Sequence, residues 1–249
     1  MDLRDKVAVV TGGNGGLGQR ICHALAGAGS HIAVVYARSS EQASEVAREL
    51  RQHEVEADAF ACDVSDQAQV LRLVEQVVER FGRLDVLVND AAYNKTIPYR
   101  DLDGLTLEDW SQIIDVNLTG PMLCMKAVAP AMRKQGHGRI VNIASVAGLV
   151  PQGSSIAYAV SKAGLIHLTK CMAVALSPEV LVNCVAPGLL EGTRSTANLL
   201  QSEIERAVNQ SLLKRAADKD DVAEQVLTMC RTDTMTGQTI VIDAGRVFN

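Results

Sequence analysis

Three side chains with complementary chemistry, Ser145, Tyr158 and Lys162, lie in one stretch of the chain. Tyr158 and Lys162 are spaced i and i+4, so on a helix they share one face. A phenol titrates near 10, and a nearby ammonium stabilises its phenolate, so this pair could exchange a proton with a carbonyl oxygen at neutral pH. Ser145, at the end of a strand-like run, could hydrogen-bond the same oxygen. An isolated Tyr/Lys pair is also typical of an exposed helix face, so only the combination indicates catalysis.

A glycine cluster follows the first strand-like run, Val7–Thr11, and precedes a helix-period stretch. Gly12, Gly16 and Gly18 stand where backbone N–H groups and a helix amino terminus could hold a pyrophosphate. A tight strand-to-helix turn needs glycines for backbone reasons alone, so this pattern is consistent with either interpretation. Its place after the first strand favours nucleotide binding.

The end of the second predicted strand carries Arg38 and Ser39, at the point where dinucleotide folds discriminate the adenosine ribose. An acidic residue there would accept the 2′-hydroxyl, whereas Arg38 and Ser39 offer donors to a 2′-phosphate. The sequence therefore favours NADP(H) over NAD(H). The competing interpretation is that Arg38 is only a solvated loop residue.

Strand-like and helix-like segments alternate from Val7 to Ile242, which predicts βαβ units and a parallel sheet. We therefore expect an α/β fold, a Rossmann-type doubly wound sheet of about seven strands with helices on both faces. No linker or repeat interrupts the pattern, so residues 1–249 are predicted to form one domain. The stretch 189–214 is a long excursion from it, and we interpret it as a substrate lid.

Composition excludes several classes of protein. The formal net charge is −5, from 24 Lys+Arg and 29 Asp+Glu, which disfavours nucleic acid as a partner. The six cysteines form no C-x-x-C pair and the five histidines show no ligand spacing, so neither a disulfide framework nor a metal site is expected. No long apolar run and no signal-like amino terminus are seen, which predicts a cytoplasmic protein without a membrane span.

Taken together, these motifs resemble those of the short-chain dehydrogenase/reductase family over practically the whole chain. The matching motifs are Thr11–Gly18, Cys62-Asp63-Val64, Asn89-Asp90-Ala91-Ala92, the set Asn117, Ser145, Tyr158 and Lys162, and Pro187-Gly188. The resemblance implies an oxidoreductase that transfers hydride between a nicotinamide cofactor and a small carbonyl or secondary alcohol. It also implies a homotetramer, with a dimer as the next choice.

The resemblance further assigns roles to individual residues. Tyr158 would be the acid/base, Lys162 would also bind the nicotinamide ribose, and Asn117 would hold a water of a proton relay behind Lys162. Asp63 would accept from the adenine amino group. The cofactor contacts expected from the family are Gly12, Asn14, Gly16, Leu17, Gly18, Arg38, Ser39, Asp63, Val64, Asn89, Ala91, Tyr158, Lys162, Pro187, Gly188 and Thr193.

The sequence also departs from the family pattern. Asp90 and Ala92 replace the usual second asparagine and the glycine of that motif, and Gly15 stands where many NADP(H)-dependent relatives carry an arginine. The general appearance is that of 3-oxoacyl-acyl-carrier-protein reductases. However, the two arginines that dock the carrier protein in those enzymes correspond here to Pro130 and Val174.

Three functions are therefore weighed. The first is an NADP(H)-dependent reductase of small carbonyl compounds, with an apolar lid wall that suits a largely apolar ketone. The second is a 3-oxoacyl-acyl-carrier-protein reductase. The third, of a different class, is a catalytically silent nucleotide-binding sensor or scaffold, against which the complete set Asn117, Ser145, Tyr158 and Lys162 argues.

Overall fold

One parallel sheet organises the computed structural model, which describes residues 1–193, 196 and 201–248. Within these residues the sheet has seven strands in the order β3-β2-β1-β4-β5-β6-β7. The expectation of a doubly wound α/β sheet is confirmed. The strands are β1 (Val7–Thr11), β2 (His31–Tyr36), β3 (Ala57–Ala61), β4 (Val86–Asn89), β5 (Gly138–Ile143), β6 (Val180–Pro187) and β7 (Thr239–Ile242).

Helices cover the two faces of this sheet. The α-helices in the described part of the chain are α1 (Gly16–Gly27), α2 (Ser40–Leu50), α3 (Gln67–Phe81), α4 (Leu107–Ile114), α5 (Gly120–Gln135), α6 (Ile156–Leu176), α7 (Gln201–Gln210) and α8 (Lys219–Arg231). A π-helical turn over Asp115–Thr119 joins α4 to α5. Short helical turns also follow α2 and β5.

The strands are buried on both sides, which explains their Val- and Ala-rich composition. Successive side chains of β1 alternate between two apolar clusters: Ala8 and Val10 pack with α1, α2 and α8, whereas Val7 and Val9 pack with α3, α5 and α6. Since polar side chains are costly inside either cluster, they collect at the ends of the strands.

Four of the helix amino termini in the described residues, those of α3, α4, α6 and α8, are capped by a side chain. Asp66 accepts from the backbone N–H groups of Ala68 (2.8 Å) and Gln69 (3.2 Å) at the start of α3. Thr106 and Asp218 cap α4 and α8 in the same manner. The start of α1 has no such side-chain cap, which leaves its first N–H groups free for another acceptor.

The predicted lid segment leaves β6 and is tied back at its base. Leu190 forms an isolated parallel bridge with Ala217, and the Ala217 N–H donates to the carbonyl of Leu189 at 3.0 Å. Within this segment, α7 is described and residues 194, 195 and 197–200 lie outside the described residues. The described part supplies the predicted apolar wall only in part: Leu189, Leu190 and Ala207 line the cavity, but α7 also presents Arg206 and Gln210 to it.

Helix α6 is apolar enough, by length and composition alone, to cross a membrane, and in the described residues it is the one helix that is. It packs on β6, and its interior carries Lys162, which is only 3% exposed. Burial against the sheet therefore accounts for its composition.

At the amino-terminal edge of the sheet, the carboxylate of Asp85 joins the start of β1 to the residues just before β4. It accepts from the Val7 N–H at 2.9 Å and forms a bidentate ion pair with Arg83, both contacts at 2.7 Å. The Asp85 side chain is fully buried, whereas Arg83 is 36% exposed. This network fixes the starts of β1 and β4, and so the register in which both strands reach the opposite edge.

Replacing Asp85 with alanine is therefore expected to lower the free energy of unfolding by about 1 to 3 kcal/mol, because the buried Val7 N–H loses its acceptor. Urea unfolding monitored by circular dichroism measures the change. Glu45→Ala is the matched control, because the Glu45–Arg48 pair is exposed on α2 and contributes little. Equal effects of the two substitutions would contradict the structural role of Asp85.

Candidate active site

A cavity of about 860 Å³ opens at the carboxyl ends of the central strands. Its wall runs from the glycine loop after β1, past the ends of β4 and β5, to the start of the predicted lid. Ligand sites of open α/β sheets lie at this edge, where the strand order reverses, and their volumes are typically about 300 to 1,000 Å³. The predicted site residues in its wall are Gly12, Asn14, Gly16, Leu17, Ala91, Ser145, Tyr158, Lys162, Pro187, Gly188 and Thr193.

The glycine loop is shaped by contacts that exclude a side chain. Gly12 has a φ of +68°, and a Cβ there would lie 3.0 Å from the Cα of Ala91. A Cβ on Gly18 would approach the carbonyl oxygen of Gly12 to 2.3 Å, and one on Gly16 would meet the carbonyl of Gly192 at 2.7 Å. The absence of a side chain on Gly18 thus lets α1 pack closely against the glycine loop. Gly16 and Leu17 line the cavity at the uncapped start of α1.

Asn14 connects the glycine loop to the end of β2. Its side-chain amide is 2% exposed and donates to the carbonyls of Arg38 (3.0 Å) and Ser39 (3.4 Å). Ser39 adopts a left-handed conformation with φ of 63°. Asn14 thereby holds the backbone that presents Arg38.

The Arg38 side chain is exposed, and within the described residues its guanidinium makes no hydrogen bond or ion pair. Arg38 and Ser39 lie outside the cavity wall, on the side of the glycine loop away from Tyr158. Asp63 and Val64 follow β3, further along the same edge of the sheet. The Asp63 carboxylate accepts from both the N–H (2.9 Å) and the hydroxyl (2.6 Å) of Ser65, the loop-capping arrangement that its sequence position also allows.

A chain of buried polar side chains supports the ends of β4 and β5. Asn89 donates to the Asn142 side chain at 2.8 Å, and Asn142 donates to the Thr169 hydroxyl at 2.9 Å. Asn89 is 3% exposed and does not line the cavity. It supports the site by holding the ends of β4 and β5 together. Thr11 accepts from the N–H groups of Asp90 and Ala91, each at 3.1 Å. Thr11 belongs to the cofactor-loop motif predicted from the sequence, without this supporting role, and Asn142 was not singled out, although its place near the end of β5 was the available signal.

Tyr158 and Lys162 occupy adjacent turns of α6, as predicted. The Ser155 hydroxyl caps this helix by accepting from the Tyr158 N–H at 3.1 Å. The Lys162 ammonium donates to the carbonyl of Ile143 at 2.8 Å and lies 5.7 Å from the centre of the Tyr158 ring. Lys162 is thus anchored to the end of β5, beside the strand end from which Ser145 follows.

Burial changes the proton affinity of this group of side chains. It raises the pKa of Tyr158 to about 12, while a hydrogen bond with Ser145 acts in the opposite direction. Burial lowers the pKa of Lys162, and the negative charge of Asp90 partly restores it. Burial also raises the pKa of Asp90, against the attraction of Lys162. Tyr158 is therefore a neutral phenol, able to donate a proton, across the neutral pH range.

Asn117 is fully buried in the π-helical turn and does not reach the cavity wall. Its side chain accepts from the Tyr93 N–H at 2.8 Å and donates to the Tyr93 carbonyl (2.9 Å) and to the Ser161 hydroxyl (3.1 Å). The side-chain amide thus ties the loop after β4 to α6, which fixes the helix that carries Tyr158 and Lys162.

The turn after β6 closes the far side of the cavity. Gly188 donates to the Ile242 carbonyl at 2.9 Å, and a Cβ on Gly188 would lie 2.8 Å from the Cβ of Asp243. Thr193 also lines the cavity, and its hydroxyl donates to the Leu190 carbonyl at 3.2 Å. Pro187 and Gly188 are thus held between the glycine loop and β7.

Known proteins are similar to this chain in sequence and in architecture. A family model described as short chain dehydrogenase matches residues 6–204. A Streptomyces violaceoruber protein named as a candidate ketoacyl reductase of the granaticin polyketide synthase is 40% identical over 96% of this chain and 95% of its own. The 3-oxoacyl-[acyl-carrier-protein] reductase of Synechocystis sp. is 38% identical over 99% of this chain and 98% of its own.

Solved structures agree with the fold. A short-chain type dehydrogenase/reductase from Mycobacterium marinum has a TM-score of 0.91 at 32% identity, covering 99% of this chain and 97% of its own. An NAD⁺-bound xylitol dehydrogenase has a TM-score of 0.89 at 28% identity, covering 98% and 100%. An NADPH-dependent 3-quinuclidinone reductase from Rhodotorula rubra has a TM-score of 0.90 at 25% identity, covering 98% and 92%.

The family model covers most of the chain, and both curated relatives match it almost from end to end. The similar structures include both an NAD⁺-bound and an NADPH-dependent enzyme. Both enzymes use a nicotinamide dinucleotide, but only the second uses the form with a 2′-phosphate. The chain belongs to the short-chain dehydrogenase family, a family of oxidoreductases that bind a nicotinamide dinucleotide.

Proposed function

We propose that this protein transfers hydride between NADP(H) and a small carbonyl compound or secondary alcohol, with Tyr158 as acid/base. The observation that carries the proposal is that the wall of one cavity brings together the Tyr158 phenol, Ser145 and the buried ammonium of Lys162. A nucleotide-binding scaffold without catalysis has no use for a buried ammonium, whose removal from water is costly.

The residues present fit a dinucleotide. The uncapped start of α1 and the side-chain-free surface of Gly12 and Gly16 suit a pyrophosphate. Pro187, Gly188 and Thr193 stand beside the catalytic end of the cavity, where they would face the nicotinamide. Asp63 and Val64, at the end of β3, would take the adenine.

The bound nicotinamide supplies or accepts the hydride at the substrate carbon. In the reduction direction, the Tyr158 hydroxyl donates its proton to the carbonyl oxygen as that oxygen gains negative charge. Ser145 donates a hydrogen bond to the same oxygen and holds the carbonyl against the phenol. The Lys162 ammonium stabilises the phenolate that remains, and solvent then returns the proton. In the family's relay, Asn117 would bind a water behind Lys162, and its hydrogen bond to Ser161 places it against α6, the helix that carries Lys162.

Tyr158→Phe removes the proton donor and keeps the ring. We expect the turnover number for ketone reduction to fall by about two orders of magnitude or more, with cofactor affinity retained. Steady-state kinetics and a cofactor titration measure the two quantities. Tyr93→Phe is the matched control, because Tyr93 contacts Asn117 through its backbone. Near-normal turnover of Tyr158→Phe would contradict the mechanism.

The two reaction directions are expected to respond differently to pH. Because the pKa of Tyr158 is raised to about 12, its donor form persists through neutral pH and supports reduction. Alcohol oxidation needs the phenolate, so its rate is expected to increase as the pH rises from 7 to 10. Initial rates in both directions across this range test the assignment. An oxidation rate that stays flat or falls would be inconsistent with Tyr158 as the base.

The preference for NADP(H) rests on Arg38. Its unpaired guanidinium stands at the end of β2, and its backbone is held by Asn14. Tyr36 closes β2 in place of an acidic residue, so nothing at that position repels a 2′-phosphate. Ser39, the next residue, offers a hydroxyl to the same phosphate.

Arg38→Ala is expected to weaken NADPH binding by roughly ten- to a hundredfold, the effect of one charge-assisted contact. NADH binding should change little, since that cofactor carries no 2′-phosphate. Titration calorimetry of both cofactors measures the difference. The control is Arg48→Ala, which removes an exposed arginine of α2. Tighter binding of NADH than of NADPH by the native protein would refute the assignment.

A 3-oxoacyl-acyl-carrier-protein reductase is the second candidate, supported by the names of the relatives. The structure limits how a carrier protein could dock. Val174 is 80% exposed at a position where those enzymes carry an arginine, and Arg133, the nearest replacement, donates to the Ala175 carbonyl. Arg139 is buried and paired with Asp233. Comparing carrier-linked with free thioester substrates tests this candidate.

The remaining features are part of the same proposal. We place the protein in the cytoplasm, as suits its free cysteines. A homotetramer is supported by exposed apolar side chains on α6, Val160 at 43% and Val174 at 80%. The segment 189–214 would act as the substrate lid, since α7 borders the cavity.

A further inference from the structure

The wall of the cavity carries an excess of positive charge. Arg100, Arg206 and Arg246 line it, from the loop after β4, from α7 and from the segment after β7. Of the described residues that line it, Asp90 alone is acidic, and it lies at the end of β4 beside the glycine loop. No carboxylate therefore balances the three guanidinium groups within the wall.

Elsewhere in the described part of the chain, six of the other twelve arginines pair with carboxylates. Arg246 by contrast is half-buried, and its guanidinium donates only to two neutral amide oxygens, those of Gln152 (2.7 Å) and Gln210 (3.0 Å). In the described part of the chain, the side chains of Arg100 and Arg206 make no hydrogen bond or ion pair. The arginines that pair with carboxylates are Arg20, Arg48, Arg51, Arg80, Arg83 and Arg139.

Arg246 is held in place by a turn that the chain builds for it. The carboxylate of Asp243 accepts from the N–H groups of Gly245 (2.9 Å), Arg246 (3.1 Å) and Val247 (2.6 Å). Ala244 and Gly245 take left-handed conformations, with φ of 59° and 79°. Because this turn fixes the backbone before any ligand arrives, the guanidinium is preorganised to bind.

The same turn places Arg246 near the reacting group. Gln152, its hydrogen-bond partner, precedes Gly153, and a Cβ on Gly153 would lie 3.6 Å from the Tyr158 ring. Tyr158 and Arg246 thus line the same cavity, and the segment Gln152-Gly153 contacts both of them.

We propose that Arg246, with Arg100 and Arg206, forms an anion-binding subsite that selects a substrate carrying a carboxylate or phosphate in addition to its carbonyl. This rests on the proposed function and names its substrate class. An arginine that is not satisfied by a carboxylate of the protein gains charge-assisted, bidentate hydrogen bonds from such a group. The anion could belong to a free oxo acid or to the phosphate of a thioester-bound pantetheine arm.

Binding of reaction products to the protein loaded with reduced cofactor tests the subsite without turnover, since a hydroxy compound cannot react there. The probes are 3-hydroxybutanoate against its methyl ester, and 3-hydroxybutanoyl-coenzyme A against the N-acetylcysteamine thioester. We expect the anionic member of at least one pair to bind about tenfold tighter or more. Preference within the first pair identifies a carboxylate, and preference within the second identifies a phosphate.

Arg246→Gln and Arg206→Gln should each reduce that preference severalfold, and Arg246→Lys should restore part of it. Arg231→Gln is the matched control, because Arg231 is exposed and lies outside the cavity wall. Thermal unfolding of each variant verifies the fold, and Arg206, exposed on α7, keeps the test valid if Arg246→Gln unfolds. A preference that survives both substitutions would overturn the proposal.

Turnover of the matching 3-oxo compounds separates this inference from the proposed function. Equal binding of anionic and neutral probes, with both 3-oxo compounds reduced, would overturn the anion subsite and leave the reductase function standing. Anion preference in binding without reduction of any probe would support the subsite and contradict the assigned function for these carbonyl compounds.

Discussion

Burial of a parallel sheet on both faces is the constraint from which the rest of this structure follows. Neither apolar cluster can accept polar side chains without cost, so the chemistry is confined to the strand ends. Parallel strands end at one edge, which brings the glycine loop, Asp90, Ser145 and Pro187 to a single cavity although they are distant in sequence. Asp85, at the opposite edge, fixes where β1 and β4 begin and thereby where they end.

Within the cavity, three titratable groups depend on one another. Burial disfavours the charged forms of Tyr158, Lys162 and Asp90 alike, but Lys162 and Asp90 offset part of that cost through their mutual attraction. Burial is the main cause of the raised pKa of Tyr158, and the charge of Asp90 adds to it, so both keep the phenol protonated. The bond from Lys162 to Ile143 holds the ammonium at the strand end while these charges shift.

The sequence predicted the fold well because each signal was local. β1 and β2 have the predicted bounds, since buried β-branched runs end at glycine or polar residues. The pair Tyr158 and Lys162 could be predicted equally well, because both side chains lie on adjacent turns of one helix. Asn117 illustrates the limit: its partners Tyr93 and Ser161 come from two other segments, and no spacing rule joins them. The cluster around Arg246 was missed for the same reason, and the apolar wall expected from α7 proved partly basic.

Net charge was an incomplete guide to the site. The value of −5 predicts no surface field suited to nucleic acid, yet it averages over carboxylates that neutralise arginines such as Arg83 and Arg80 elsewhere. Once these pairs are set aside, the uncompensated cations include Arg38 beyond the glycine loop and Arg246 in the cavity wall. An acidic protein can thus present positive charge inside a cavity, where low-dielectric walls focus the field on small anions.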